Sequence, residues 1–221
     1  MKSLVKPSNI APPNGEIMNL SPHYKSLEDY VGSLEKKFID RYLPANPADT
    51  PADYREDVSA FCVLLHAALE EYFEDVAKFS ITDAVNNWKK SKKGSDVLIA
   101  ICINLSNKMQ IPSDGNYPRP IIQMLEEKIQ EAKSQFLKEI EENHGVSKKY
   151  LARILGRLGI EIGADARFEN SLAKIVEFRG ELAHKKPAKI LAPEDAKKYC
   201  EDCMLYCLEI STKATEALRE N

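Results

Sequence analysis

Two residues near the end of one segment have types and spacing suited to phosphodiester chemistry: Arg179 and His184, in the run Phe178-Arg179-Gly180-Glu181-Leu182-Ala183-His184-Lys185-Lys186. An arginine carries a permanent charge on a planar fork that matches a phosphate, and a histidine takes or gives a proton near neutrality. Five residues apart on a straight helix, their side chains point about 140° away from each other. They converge only if the helix stops or bends between them, and Pro187 supplies a stop, because Lys186 before it is pushed out of α geometry. A plain alternative stays open, since Arg and His both suit the negative end of a helix as simple caps.

The elements that must position this pair read as helices throughout. Leu27, Tyr30, Val31, Leu34 and Phe38 step along a first amphipathic helix from Ser26. Thr50, Pro51 and Asp53 then form a capping signal that opens the strongest stripe in the chain, Val58, Phe61, Leu65, Leu69, Tyr72, Phe73 and Val76. Ser80 with Asp83 is expected to restart a helix that Gly94 ends, and the apolar run Val97-Leu98-Ile99-Ala100-Ile101-Cys102-Ile103 reads as a buried helix because no second strand-like run exists to pair with it. A turn-rich loop leads to a long helix over 120–144, with Ile122, Leu125, Ile129, Ala132, Phe136 and Ile140 expected inward. A short helix from Ser147 buries Leu151, Ile154, Leu155 and Leu158. The helix bearing Arg179 starts near Asp165 and steps through Phe168, Leu172, Ile175, Val176 and Leu182, and a last helix opens at Pro193. Residues 1–22 hold Pro7, Pro12, Pro13 and Gly15 without an apolar period and read as a flexible arm. Residues 23–221 read as a single all-α domain.

Other clusters carry weaker chemistry. Cys200, Cys203 and Cys207 share a helical face, but no fourth ligand stands at a suitable spacing, so the stripe reads as core or as a dimer seam. His66 lies in an apolar run and reads as a satisfied core histidine. His23 and His144 have no partner by spacing, and Glu70, Glu71 and Glu74 read as a solvated face. Lys148, Lys149, Arg153, Arg157, Lys185 and Lys186 offer an electrostatic track for RNA, or only a soluble face. No metal ligand set and no cofactor motif is expected, and Gly-rich phosphate loops, HExxH and GxSxG are absent from the sequence.

Charge and length narrow the class. The 221 residues have a net charge of -3, which argues against coating nucleic acid or a membrane by overall charge. Yet residues 145–189 hold ten Lys and Arg against five Asp and Glu, leaving the remainder at -8. The first residues lack an apolar core and the five cysteines form no secreted framework, so a cytoplasmic protein with no membrane segment is expected.

The segment RGELAHK resembles the Arg-x(4 to 6)-His motif of HEPN domains, and DVSAFCVLLHAALEEYFEDVAKF is similar to the long early helix of their RiboL-PSP-like members. The resemblance covers about residues 50 to 215. It implies a HEPN-like helical bundle with extra helices, often dimeric, whose members include metal-independent endoribonucleases of toxin–antitoxin and antiviral systems. Arg179 would then hold the scissile phosphate and His184 would move the proton while the RNA 2′-OH attacks. The partners implied are RNA, a second copy in a homodimer, and a cognate antitoxin or defence-system protein. Many members place Asn or Asp directly after the Arg. Here Gly180 stands in that place and Glu181 follows, so the auxiliary role falls to Glu181 or is unfilled. In the second case the domain is an inactive module that binds nucleotide, RNA or protein.

Overall fold

The computed structural model describes residues 21–45, 50–106, 121–142, 144–183 and 191–219. Among them it has seven α-helices and no β-strand: α1 Ser21–Phe38, α2 Pro51–Ser91, α3 Asp96–Ser106, α4 Ile121–Glu142, α5 Lys148–Ile154, α6 Ala166–Ala183 and α7 Pro193–Ala217. The all-α expectation holds. The apolar run after Gly94 is helical, as the lack of a pairing partner required.

The long helix α2 is the axis of the molecule, and every other helix packs against it. Its start follows the capping signal: the Thr50 backbone N–H donates to the Asp53 carboxylate at 2.7 Å, and Pro51 occupies the first turn. Phe61, Leu65, Leu69, Phe73 and Val76 are fully buried along it. At about 1.5 Å per residue, its 41 residues give it enough length to serve two sets of neighbours. Near its middle Phe73 meets Phe168 of α6 and Tyr206 of α7, while Ile81, Ala84 and Val85 continue the buried face toward its C-terminal end.

Three expectations about elements are corrected. Ser80 does not restart a helix, because α2 runs unbroken from Pro51 to Ser91 and ends at Lys92 in the left-handed conformation, two residues before Gly94. A run of buried residues on both sides of Ser80 outweighs its weak helix-breaking tendency. Ile122 and Val176, expected inward, are each about half exposed, since they lie at the edges of their apolar stripes. The first helix begins at Ser21, within the span read as an arm. Residues 1–20, the rest of that arm, lie outside the described residues.

Ser80 carries a prediction of its own. Its hydroxyl is buried and has no hydrogen-bond partner among the described residues, so Ser80→Ala removes a desolvated polar atom and adds helix propensity. The expected gain is about 0.5–1 kcal/mol, read as a higher urea midpoint at unchanged slope. A lower midpoint would mean that the hydroxyl is bonded in solution.

Candidate functional site

The helix α6 carries Gly180 and Glu181 in its last turn and Arg179 directly before that turn. It is fixed first at its N-terminal end, where the Asp165 carboxylate accepts from the backbone N–H groups of Arg167 (2.8 Å) and Phe168 (3.2 Å). Slight burial raises the Asp165 pKa, but these backbone bonds and the neighbouring Arg167 outweigh it and hold the group below its ordinary value. Phe168, Leu172, Ile175 and Phe178 then line the buried face. Phe168 stacks on Tyr206 of α7 with centroids 4.0 Å apart, and both rings pack near Phe73 of α2. Ser171 donates to Asp202 at 2.8 Å.

These contacts set the register. Moving from Phe168–Tyr206 to Ser171–Asp202 advances α6 while α7 runs backward, so the two helices are antiparallel. Carried onward, the same register brings Arg179 level with the first turn of α7, Pro193 to Asp195. The free N–H groups of a helix start favour an anion there, while Glu194 and Asp195 offset part of that field. The side chains of Arg179 and Glu181 lie outside the described part, as do His184, Lys185 and Lys186 altogether.

The remaining basic residues sit elsewhere. Lys148 pairs with Glu169 at 2.7 Å, in the first turn of α6, which is about 15 Å of helix rise from Arg179. Arg157 and Arg153 lie 2.6 and 3.7 Å from Glu139 of α4. Lys149 neighbours them on exposed surface. Lys148 is therefore held at the far end of α6 from the motif, and Arg153 and Arg157 are drawn to Glu139 of α4.

Several predicted neutral sites are resolved. Cys200, Cys203 and Cys207 are buried free thiols whose pKa values burial pushes up, so the stripe is core. His66 is buried, with Nδ1 3.8 Å from Glu70. His23 packs against the Phe79 ring at 5.2 Å.

Two readings are corrected together. Glu74 is not on a solvated face: it is 7% exposed, and its carboxylate lies 2.9 Å from His144 Nδ1 and 3.2 Å from Lys78 Nζ. His144, which had no partner by spacing, thus finds one 70 residues away. The hydrogen bond and charge of Glu74 raise the His144 pKa above its ordinary value. The sequence signal that was available is the His66-x3-Glu70-x3-Glu74 repeat on one face of α2.

A family model described as RiboL-PSP-HEPN matches residues 21–216. The chain belongs to this HEPN family. The match takes in all seven described helices almost to the end of α7, and it places RGELAHK inside the HEPN domain. No curated protein and no solved structure matches the chain. No helix among the described residues is long and apolar enough to cross a membrane.

Proposed function

We propose that this HEPN protein is an endoribonuclease that needs no metal for its chemistry, with Arg179 and His184 as its working pair. The observation that carries the reading is the position of the motif: Arg179 stands one turn before the end of a helix clamped at its other end by Asp165 and the Phe168–Tyr206 stack. Because α6 is helical through Ala183, Ala183 lies on the same face as Arg179. His184 is the next residue, so a departure from helix there suffices to bring the imidazole back toward the guanidinium.

In the reaction the RNA 2′-oxygen attacks the adjacent phosphorus and the bond to the 5′-oxygen breaks. The products are a 2′,3′-cyclic phosphate and a 5′-hydroxyl. Arg179 neutralises the charge that gathers on the phosphate oxygens, and His184 carries the proton that one oxygen loses or the other gains. Glu181 is the auxiliary polar group in the place where Gly180 offers none. A second copy of the chain would bring two motifs to one cleft, where Lys185 and Lys186, beside the motif in sequence, would guide the strand. A toxin–antitoxin or antiviral setting, with a cognate partner, fits such an enzyme.

Labelled RNA incubated with the protein in excess EDTA should be cut to those two ends, while DNA of the same sequence, which lacks the nucleophile, stays intact. Cleavage of both, or only with added divalent ions, overturns this mechanism. Gly180 favours one competing reading, a domain that binds RNA or protein without cutting. Tight binding without cleavage by the wild-type dimer is the result that would establish it.

A further inference from the structure

Among the described residues, one cluster of metal-ligating side chains lies between α2 and the α4–α5 connection. Glu70 and Glu74 stand one turn apart on α2, and His144 reaches them from the connection between α4 and α5. One donor atom from each lies within 4.8 Å of the other two. A divalent ion binds nitrogen and oxygen donors at about 2.0–2.2 Å, which in a tetrahedral set puts donors about 3.4 Å apart, so rotamer adjustment of these side chains, opening the His144–Glu74 pair and drawing Glu70 in, closes the set around one ion.

The surroundings fit a coordination site better than a chance meeting of surface acids. Glu74 is almost fully buried, so its charge is unscreened by water. Its two oxygens are divided in function: Oε1 faces His144 Nδ1, while Oε2 accepts from Lys78 Nζ. The Tyr150 hydroxyl also bonds this carboxylate. A carboxylate whose second oxygen is held by an outer donor is the arrangement that orients a ligand toward a metal. On the other flank His66, buried one turn before Glu70, lies beside the Glu70 carboxylate. The cluster therefore has an inner set of three and fixed neighbours behind two of them.

From this geometry we infer that Glu70, Glu74 and His144 form a binding site for a divalent first-row transition ion, which pins the α4–α5 connection to α2. Mixed imidazole and carboxylate donors suit Zn2+ and its neighbours. In the site the ion takes the place of the proton shared by His144 and Glu74. It stands level with the Phe168 end of α6, about 16 Å of helix rise from Arg179, so it serves structure and not the phosphodiester step.

The test uses the full chain stripped of metal and then dialysed free of chelator. Zn2+ at a free concentration a hundredfold above its Kd should raise Tm by about 5 to 10 °C, and Co2+ should give visible absorption bands of a low-coordinate nitrogen and oxygen site. His144→Ala, at an exposed position that leaves the core intact, should abolish both signals while keeping the metal-free Tm near that of wild type. Glu70→Gln should weaken Co2+ binding by at least tenfold. His23→Ala, outside the cluster, should keep both signals. Absence of Co2+ bands and of a Zn2+ shift in wild type overturns the site, as does their survival in His144→Ala. None of these readouts depends on RNA cleavage.

Discussion

His184→Ala is expected to lower RNA cleavage by about 10² to 10⁴, the range that a positioned acid or base contributes. The protein should keep its fold, since the buried face of α6 among the described residues is Phe168, Leu172, Ile175 and Phe178. Identical helical spectra and identical thermal midpoints for wild type and variant would show that the loss is chemical. Arg179→Lys should fail by a comparable margin, because an ammonium keeps the charge but loses the two-pronged match to phosphate oxygens. The two losses should not add in the double variant, as both residues serve one transition state. Wild-type rates in His184→Ala would remove the histidine from the mechanism. Equal rates for Arg179→Lys would reduce the arginine to a point charge.

The part of this design that was legible in the sequence is the part governed by local rules. Periodicity and capping placed Thr50, Pro51 and Asp53 at the start of α2, Ser147 at the start of α5 and Pro193 at the start of α7, where the structure has them. The Cys200, Cys203 and Cys207 stripe reads from its spacing as core or as a dimer seam, and the structure buries all three thiols within the chain. Local rules failed where tertiary packing decides. Ser80 is tolerated inside α2 because α2 is held along its length by other helices, and Val176 is half exposed at the edge of the apolar stripe of α6.

For the candidate site, sequence spacing bears on the motif and not on its surroundings. Arg179 and His184 are close in sequence, so their spacing could be weighed against the helical period. The ion pairs of Lys148 with Glu169 and of Arg157 with Glu139 join separate helices, and no spacing rule links such residues. The same holds for His144 and Glu74. A histidine after a helix end and a glutamate in the middle of another helix become neighbours only when α4 and α5 fold back on α2. Charge counts along 145–189 thus overstated the free positive charge near the motif, since much of it is answered by Glu139 and Glu169.

Phe73→Ala should be among the most damaging single changes to the fold. The ring is fully buried and meets Phe168 of α6 at 6.2 Å, Tyr206 of α7 at 6.3 Å and Tyr72 beside it at 5.3 Å. Truncation of a buried Phe costs about 3–5 kcal/mol in transfer and cavity terms, which is a large part of the roughly 5–15 kcal/mol that separates folded from unfolded states in most domains. The expected result is a fall in Tm of about 6–20 °C at two to four degrees per kcal/mol. Val176→Ala, at a half-exposed position on the same helix α6, should shift the midpoint by no more than about 2 °C. Phe73→Leu fills most of the volume and should recover much of the loss. The consequence for function follows from the clamp. Phe73 supports the stacked pair of Phe168 and Tyr206, and that pair sets the register of α6 against α7, so a loosened junction moves Arg179 relative to the start of α7. Below its own melting range, Phe73→Ala should therefore cut RNA more slowly than wild type, and Phe73→Leu should fall between them. Full activity in a clearly destabilised Phe73→Ala protein would mean that the end of α6 is positioned by something other than this aromatic junction.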